Sequence, residues 1–192
     1  MSAWQAVILA AGGGTRMRSE IPKVLHKICG VPLINHVVNS LQAADLRTPI
    51  VVASSKSKAL HALVGDFVDL VVQETPLGTG QALANVEGTL GADTKHILVI
   101  NGDCPLVSSD SIHRLMECHE NANAQMSLMT TEVVDPNGYG RINRDSNGNI
   151  SGIIEESEAN ADQLTIKEVN GGVYAFEVAS LWSLLPNLKL SS

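Results

Sequence analysis

A short apolar run that passes almost directly into a glycine-rich loop is the feature that most constrains this fold. Residues 6–9 read Ala-Val-Ile-Leu, which is typical of a buried parallel strand, and residues 12–14 are all glycine. Because glycine lacks a Cβ, such a loop can approach an anion closely and turn successive N–H groups toward it. Arg16 and Lys23 add two cations nearby, which suits a triphosphate. The stretch predicts a phosphate site; the alternative is a glycine turn with two solvated basic side chains.

Two commoner glycine-rich phosphate sites are excluded by the residues present. A P-loop requires G-x-x-x-x-G-K-[ST], and the chain contains neither Gly-Lys-Ser nor Gly-Lys-Thr. A dinucleotide fingerprint requires Gly or Ala where Met17 stands, and an acid at the end of the second strand, where Ser54 and Ser55 stand. A nicotinamide-dependent enzyme is therefore disfavoured.

Charge and composition exclude several classes of partner. The formal net charge is −7, aromatic residues make up 3% of the chain and no basic run occurs, so we expect no nucleic-acid partner. No apolar run has the roughly 18 residues of a membrane helix and the N-terminus lacks a signal-like core, so we expect a cytoplasmic protein with no membrane partner. Cys29, Cys104 and Cys118 form no C-x-x-C pair, which argues against a zinc site or a disulfide framework.

The order of the predicted elements indicates an α/β fold. Strand-like and helix-like stretches alternate up to about residue 123, which predicts a mostly parallel sheet with helices on both faces. One predicted helix covers residues 81–90, and the polar stretch that runs to Glu168 is assigned no helix or strand. From about residue 124 the pattern changes to strands and turns, including a hairpin around residues 145–148. At 192 residues the chain is expected to form a single domain with halves 1–123 and 124–192.

In parallel sheets, ligands bind outside the carboxyl ends of the strands. Gln73 ends the third strand and is followed by a glycine-rich turn containing Gly78 and Thr79. A primary amide can donate to and accept from the edge of a nucleobase at once. The alternative is a loop in which Thr79 serves only as a helix N-cap.

The stretch from His96 to Leu106 contains the strongest predicted strand of the chain, which ends in the carboxylate of Asp103, directly after Gly102. One protein carboxylate together with substrate phosphates is a usual way of holding magnesium, so Asp103 is the candidate Mg²⁺ ligand; a turn-forming role is the alternative. Glu155 and Glu156 are adjacent on a predicted strand, where they would face opposite sides and form no acid/base dyad.

Several motifs together resemble a known family. LAAGGGTRM with PKVLH, LGTGQA after Gln73, NGDCPL, GYGRI, GIIEE and VNGGVYAF are similar, in order and spacing, to the uridylyltransferase domain of the bacterial bifunctional enzymes that make UDP-N-acetylglucosamine. The resemblance runs from about Ala6 to Phe176. It implies a Rossmann-like, doubly wound, mostly parallel sheet of the nucleotide-diphospho-sugar transferase type with a small β-rich sugar-binding portion. It also implies Mg²⁺ as cofactor, with UTP and N-acetylglucosamine-1-phosphate as substrates.

The resemblance further implies roles for individual residues. Lys23 would contact the nucleotide and Arg16 would assist the departure of pyrophosphate, while Asp103 would ligate magnesium. The remaining nucleotide-binding residues would be Leu9, Ala10, Ala11, Gly12, Gly14, Gln73, Gly78, Thr79 and Gly102, of which Gln73, Gly78 and Thr79 would read uracil. The sugar-binding residues would be Asn101, Gly140, Glu155 and Asn170.

The chain departs from the family at three places. Asn101 stands where an aromatic residue is common, and Gly171 replaces the usual Thr or Ser, so we expect a retuned sugar pocket. The sequence stops at Ser192, before the late asparagine that is the family's second metal ligand and before its β-helix acetyltransferase domain. We therefore expect an incomplete metal site and no acetyl transfer by this polypeptide.

Three hypotheses follow from the sequence. The first is a uridylyltransferase, or a close relative that uses another nucleotide, such as CTP, or another sugar phosphate. The second is a nucleotide or nucleotide-sugar binding domain without turnover. The third is an oxidoreductase, which the missing glycine and acid disfavour.

Overall fold

The computed structural model describes residues 3–12, 17, 19, 21–55, 58–64, 68–74 and 78–187. The chain divides into two compact units, one made of Met1–Ser127 with Tyr174–Ser192 and the other of Leu128–Val173. The strands are β1 (Trp4–Ala10), β2 (Lys27–Ile28), β3 (Val31–Pro32), β4 (Ile50–Ser54), β5 (Asp69–Gln73), β6 (His96–Asn101), β7 (Met126–Glu132), β8 (Arg141–Arg144), β9 (Ile150–Ile154) and β10 (Glu168–Glu177). The α-helices are α1 (Leu33–Ala43), α2 (Lys58–Val64), α3 (Thr79–Ala84), α4 (Ser109–Asn121), α5 (Ala161–Leu164) and α6 (Val178–Leu184).

The first unit is organised around four parallel strands in the order β5-β4-β1-β6. Val7 of β1 belongs to a buried apolar cluster together with residues of α3 and α6. Its neighbour Ile8 points to the opposite face and is also fully buried, so both faces of the strand are covered. Runs of β-branched residues suit such doubly covered strands. The predicted α/β class with a mostly parallel sheet is confirmed.

The helices of this unit follow their local sequence. The buried positions of α1 (Leu33, Ile34, Val37, Val38 and Leu41) recur with helical spacing on one face. The helix α4 begins after Ser108, whose side chain accepts a hydrogen bond from the backbone N–H of Ser111. The predicted helix 81–90 is shorter than expected, because α3 ends at Ala84 and a separate 3-10 turn occupies Glu87–Thr89. Asn85 and Gly88 are weak helix formers, which accounts for the interruption.

The second unit is built mainly from antiparallel strands. The strands β8 and β9 form the predicted hairpin, with Ile142 opposite Ile153, and β10 pairs with β8 through Val169 and Arg141. The carboxylate of Asp145 closes the hairpin by accepting the backbone N–H groups of Asn147 and Asn149. The helix α5 lies in the polar stretch to which no helix or strand was assigned, and it begins with a capping box between Asn160 and Gln163. Within the described ranges, no helix is long and apolar enough to cross a bilayer.

A cluster of three aromatic rings, two buried and one half-buried, lies at the amino ends of β1 and β6. The Trp4 ring stacks on the His96 ring with centroids 4.8 Å apart, and the His119 ring meets His96 edge to face at 5.2 Å. His119 is 0% exposed, and its Nδ1 lies 2.9 Å from the hydroxyl of Ser127. Burial lowers the pKa of His119, and the nearby His96 lowers it further, against an opposing effect of Glu120 and Glu177.

This lowered pKa predicts that the protein loses stability as the pH falls. In the unfolded chain His119 takes up a proton at about pH 6.5, whereas in the folded chain it does so at lower pH. The unfolded state therefore binds more protons below neutrality, and the free energy of unfolding decreases as the pH drops below about 6.5. Urea denaturation between pH 8 and pH 5 measures the decline. We expect a shallower decline in His119→Gln; an equally steep one would contradict the assignment.

Candidate nucleotide site at the edge of the parallel sheet

The carboxyl ends of β1 and β6 meet at one edge of the sheet. Leu9 lies opposite Asn101 in the parallel register, and the backbone N–H of Gly102 donates to the carbonyl of Leu9 at 2.9 Å. On the other side of β1, Ala10 lies opposite Ala53 of β4. The chain then continues through Ala11 and Gly12, which are partly or fully exposed. Gly14 and Arg16, predicted to bind nucleotide, lie outside the described residues.

An ion pair joins two of the predicted site residues at this edge. Lys23 begins a short 3-10 turn, Lys23–Leu25, directly after Pro22, whose fixed φ suits the start of such a turn. The ammonium of Lys23 pairs with Oδ2 of Asp103, and the two side chains remain 43% and 23% exposed. The pair brings a cation and a carboxylate, 80 positions apart in sequence, to the end of β6, where a ligand can reach both.

A close approach at Gly102 holds the Lys23 turn against the sheet. A Cβ on Gly102 would lie 2.9 Å from Cγ1 of Val24 and 3.3 Å from Cγ2 of Ile8. Val24, the second residue of the turn, is buried. The turn therefore packs just beyond the end of β6, so closely that a side chain at position 102 would force its neighbours to shift.

We expect Gly102→Ala to lower the free energy of unfolding by about 1–3 kcal/mol, the usual cost of overpacking. The added methyl group must displace Val24 or Ile8 from buried positions. Urea denaturation measures the change, with Gly88→Ala as the control because a Cβ there would meet nothing within 4 Å. Equal stability of the two variants would contradict the packing argument.

Asp103 fits a role as a single magnesium ligand. Magnesium is commonly held by one or two carboxylates together with substrate phosphates and water. The Asp103 carboxylate is accessible and belongs to the loop that follows β6. Across the described part of the chain, no group of three or more His, Cys, Asp or Glu side chains is placed to hold a metal. A single accessible carboxylate is compatible with such a magnesium site, and the metal role of Asp103 stays a prediction.

Cys104 follows Asp103 and is not an activated nucleophile. Its burial, assisted by the neighbouring carboxylate of Asp103, raises the pKa of the thiol to about 11, against an opposing effect of Lys23. At neutral pH the thiol is therefore protonated, and the reactive thiolate is scarce.

The predicted base-reading residues lie at the end of β5, two strands away from β1. Gln73 pairs in register with Ser54 and is 3% exposed, and its amide nitrogen donates to Oε1 of Gln81 at 3.4 Å. Gly78 has φ 109° and precedes α3, and Thr79 is exposed. With strands spaced about 4.8 Å apart, the end of β5 lies roughly 10 Å from the end of β1. The parallel sheet thus aligns these residues along the same edge.

The second unit brings together three predicted sugar-binding residues. The carbonyl of Gly140 accepts the backbone N–H of Asn170 at 2.9 Å, and a Cβ on Gly140 would lie 3.2 Å from Oε1 of Glu155. The side chain of Asn170 accepts the backbone N–H of Gly172 at 3.0 Å. Asn101, the fourth predicted sugar-binding residue, belongs to the first unit at the end of β6.

Sequence reasoning missed the contacts that surround this cluster. Arg141 and Glu156 form an ion pair with Nη2 of Arg141 3.2 Å from Oε2 of Glu156. Glu155 and Glu156, expected on a strand, instead follow the end of β9 at Ile154. The motifs GYGRI and GIIEE contain both members of the ion pair, but no periodicity signals a contact across 15 positions. A Cβ on Gly171 would lie 2.8 Å from the carbonyl of Met129, so a Thr or Ser at this position would require the neighbouring backbone to shift.

Comparison with known proteins identifies the family. The model of the MobA-like NTP transferase domain matches residues 6–141, which include β1, the Lys23 turn, Asp103 and Gly140. The chain belongs to the MobA-like NTP transferase family. The predicted resemblance is also confirmed, because this MobA-like chain is 39% identical over 184 residues to the bifunctional protein GlmU of Exiguobacterium sibiricum. That match covers 96% of this chain and 41% of the relative, so the chain spans about two fifths of its length.

Solved structures agree with the MobA-like fold. A Bacillus anthracis structure described as a glucose-1-phosphate thymidylyltransferase, crystallised with sucrose, matches with a TM-score of 0.79 at 22% identity. The match covers 97% of this chain and 76% of that one, and it concerns the fold alone. HddC from Yersinia pseudotuberculosis in complex with GMP-PN matches with a TM-score of 0.73 at 26% identity, covering 90% of this chain and 76% of that one.

Proposed function

We propose that this MobA-like NTP transferase chain transfers a uridylyl group from UTP to N-acetylglucosamine-1-phosphate, releasing pyrophosphate and forming UDP-N-acetylglucosamine. The observation that carries the proposal is the Lys23–Asp103 ion pair at the carboxyl ends of β1 and β6. It stands within a 184-residue stretch that is 39% identical to GlmU of E. sibiricum. The coarser part of the proposal, a sugar-phosphate nucleotidyltransferase, is supported by the family and by this relative.

In the proposed reaction, an oxygen of the sugar phosphate attacks the α-phosphorus of UTP in line. The bond from the α-phosphorus to the oxygen that bridges to the β-phosphorus breaks, and pyrophosphate leaves with that electron pair. The attacking oxygen is already anionic, so no protein base is needed. Catalysis would therefore consist of positioning and charge stabilisation.

Residues at the sheet edge would supply that positioning. Lys23 would exchange part of its contact with Asp103 for the phosphate oxygens, and Arg16 would assist the leaving pyrophosphate. Asp103 would hold Mg²⁺, which when bound neutralises charge on the transferring phosphates. Gly102, just beyond the end of β6, would also contact the nucleotide. The remaining nucleotide contacts would come from the end of β1 and the loop after it, from Leu9, Ala10, Ala11, Gly12 and Gly14.

Base and sugar would be recognised by the remaining residues. Gln73, Gly78 and Thr79 would read uracil: the buried Gln73 carboxamide would exchange its bond to Gln81 for the edge of the base, to which it can both donate and accept. Asn101, Gly140, Glu155 and Asn170 would hold the sugar. The proposed setting is the cytoplasm, where the thiols of Cys29, Cys104 and Cys118, none of them in a disulfide, would stay reduced.

Pyrophosphate release by this chain tests the proposal. The assay contains magnesium, UTP and N-acetylglucosamine-1-phosphate, with CTP and glucose-1-phosphate substituted in parallel reactions. We expect release with the UTP and N-acetylglucosamine pair only. Equal release with CTP or glucose-1-phosphate would replace the proposed substrates by other members of the class, and UTP binding without release would indicate a binding domain.

A further inference from the structure

The strongest unassigned feature is a buried arginine in the second unit. Arg141 is 0% exposed, although arginine is almost never fully buried unless it is paired. Its guanidinium donates to the carbonyl of Tyr139 through Nη1 and to Oε2 of Glu156 through Nη2. The same Oε2 accepts the backbone N–H of Gly138. We call these four groups the Arg141 clamp: the Arg141 and Glu156 side chains, the Tyr139 carbonyl and the Gly138 amide.

The clamp surrounds the cluster that the proposed function assigns to the sugar. Tyr139 and Arg141 are the two chain neighbours of Gly140, and Glu156 is the chain neighbour of Glu155. Gly140 and Glu155 meet where a Cβ on Gly140 would lie 3.2 Å from the Glu155 carboxylate. The clamp thus links the residues on both sides of Gly140 to Glu156, the neighbour of Glu155.

Stability alone does not explain an arginine at this position. Arg141 lies opposite Ile154 on one side and Val169 on the other, and the neighbouring Ile142 is buried. An apolar side chain would fill such a position without desolvating a charge, and replacing buried ion pairs by apolar groups is often neutral or stabilising. Nε of Arg141 has no hydrogen-bond partner among the described residues, which adds to the desolvation cost.

The guanidinium of Arg141 can hold two acceptors at once in a fixed relative orientation. Its planar fork bonds a carbonyl and a carboxylate in fixed directions, which neither an apolar side chain nor a lysine reproduces. Residues that bind a ligand work best when such supporting bonds hold them in place.

We propose that Arg141 and Glu156 are positioning residues for the sugar-phosphate acceptor: they set the separation of Gly140 and Glu155 and so determine how tightly the acceptor binds. This inference rests on the proposed function, because it takes Gly140 and Glu155 to contact the sugar. Neither positioning residue needs to touch the substrate.

The main test is Glu156→Gln, which keeps an acceptor for the Gly138 amide but removes the charge that pairs with Arg141. The Glu156 side chain is 41% exposed, so the variant is expected to fold. We expect the KM for N-acetylglucosamine-1-phosphate to rise about tenfold, the loss typical of one hydrogen bond to a charged group. The KM for UTP should stay within about twofold of the parent value. The clamp belongs to the second unit, whereas the Lys23–Asp103 pair belongs to the first.

The matched control removes a second ion pair from the same unit. Arg144 makes two hydrogen bonds to Glu168, at 2.8 Å and 2.7 Å. Neither bond involves a residue of the Arg141 clamp. Glu168→Gln should therefore leave both KM values within about twofold of the parent. Arg141→Lys keeps the charge but loses the planar fork, and we expect it to reproduce the rise seen in Glu156→Gln.

The outcomes separate this inference from the proposed function. An active parent with an unchanged acceptor KM in Glu156→Gln, or with equal rises for acceptor and UTP, overturns the positioning role alone. If the parent binds the acceptor in calorimetry without turnover, the proposed function fails, and a tenfold weaker Kd in Glu156→Gln still supports the positioning role. A parent that neither turns over nor binds the acceptor overturns both.

Discussion

Replacing Asp103 with alanine is expected to lower the rate of pyrophosphate release by about 10²–10³-fold, a loss typical of removing one group that stabilises transition-state charge. The carboxylate is the candidate magnesium ligand and the partner of Lys23 at the edge of the sheet. Stability should change by no more than about 1 kcal/mol, because the ion pair is partly exposed. Initial rates at saturating UTP and magnesium, together with urea denaturation, measure the two effects.

A second aspartate provides the control. Asp93 forms a two-bond ion pair with Arg47 shortly before β6 begins, whereas Asp103 follows the end of that strand. Removing Asp93 breaks another aspartate ion pair, near the opposite end of β6. We expect Asp93→Ala to retain activity within about twofold. Near-normal rates in Asp103→Ala would refute the metal assignment, and a loss in both variants would point to a general loss of structure.

Replacing Lys23 with methionine is expected to lower pyrophosphate release by a similar factor of about 10²–10³. Methionine keeps an unbranched stem but removes the charge that would meet the phosphates. Unlike the aspartate variant, Lys23→Met should also weaken UTP binding in the absence of magnesium, because the ammonium would contact the nucleotide directly. Calorimetric titration with UTP, with and without magnesium, distinguishes the two variants.

Lys27 offers a matched control for the lysine. It lies four positions later, in β2, and is exposed. We expect Lys27→Met to bind UTP and release pyrophosphate within about twofold of the parent. If Lys27→Met and Lys23→Met lost activity equally, the effect would come from net charge rather than from a cation placed beside Asp103.

Much of the fold was predictable because parallel strands leave a strong local signal. The apolar runs that became β1, β4 and β6 stand between turns and need no distant information to be recognised. The short helix α5 was missed although its capping residues, Asn160 and Gln163, are visible in the sequence. Its four residues carry no apolar periodicity, so the cap was the sole signal.

The site was predictable only in part. The rule that ligands bind at the carboxyl ends of strands places Lys23 and Asp103 in one region, but their direct ion pair depends on how the Lys23 turn packs. That packing depends on the close approach of Val24 to Gly102. A glycine in a sequence does not indicate which side chain packs against it. Gly14 and Arg16 lie outside the described residues, and the roles of all the predicted site residues stay predictions. Contacts such as Arg141 with Glu156 join different strands, and a single sequence does not reveal them.

The division of the chain has a consequence for how such proteins diversify. The first unit is interrupted in sequence after Ser127 and continues from Tyr174. The second unit, residues 128–173, is therefore a single contiguous insert within the first. The insert carries Gly140, Glu155 and Asn170, whereas Lys23, Gln73 and Asp103 belong to the host unit. If the three residues of the insert bind the acceptor as proposed, exchange of the contiguous segment 128–173 between relatives would transfer most of the acceptor contacts, all but Asn101, without altering the residues proposed to bind the donor.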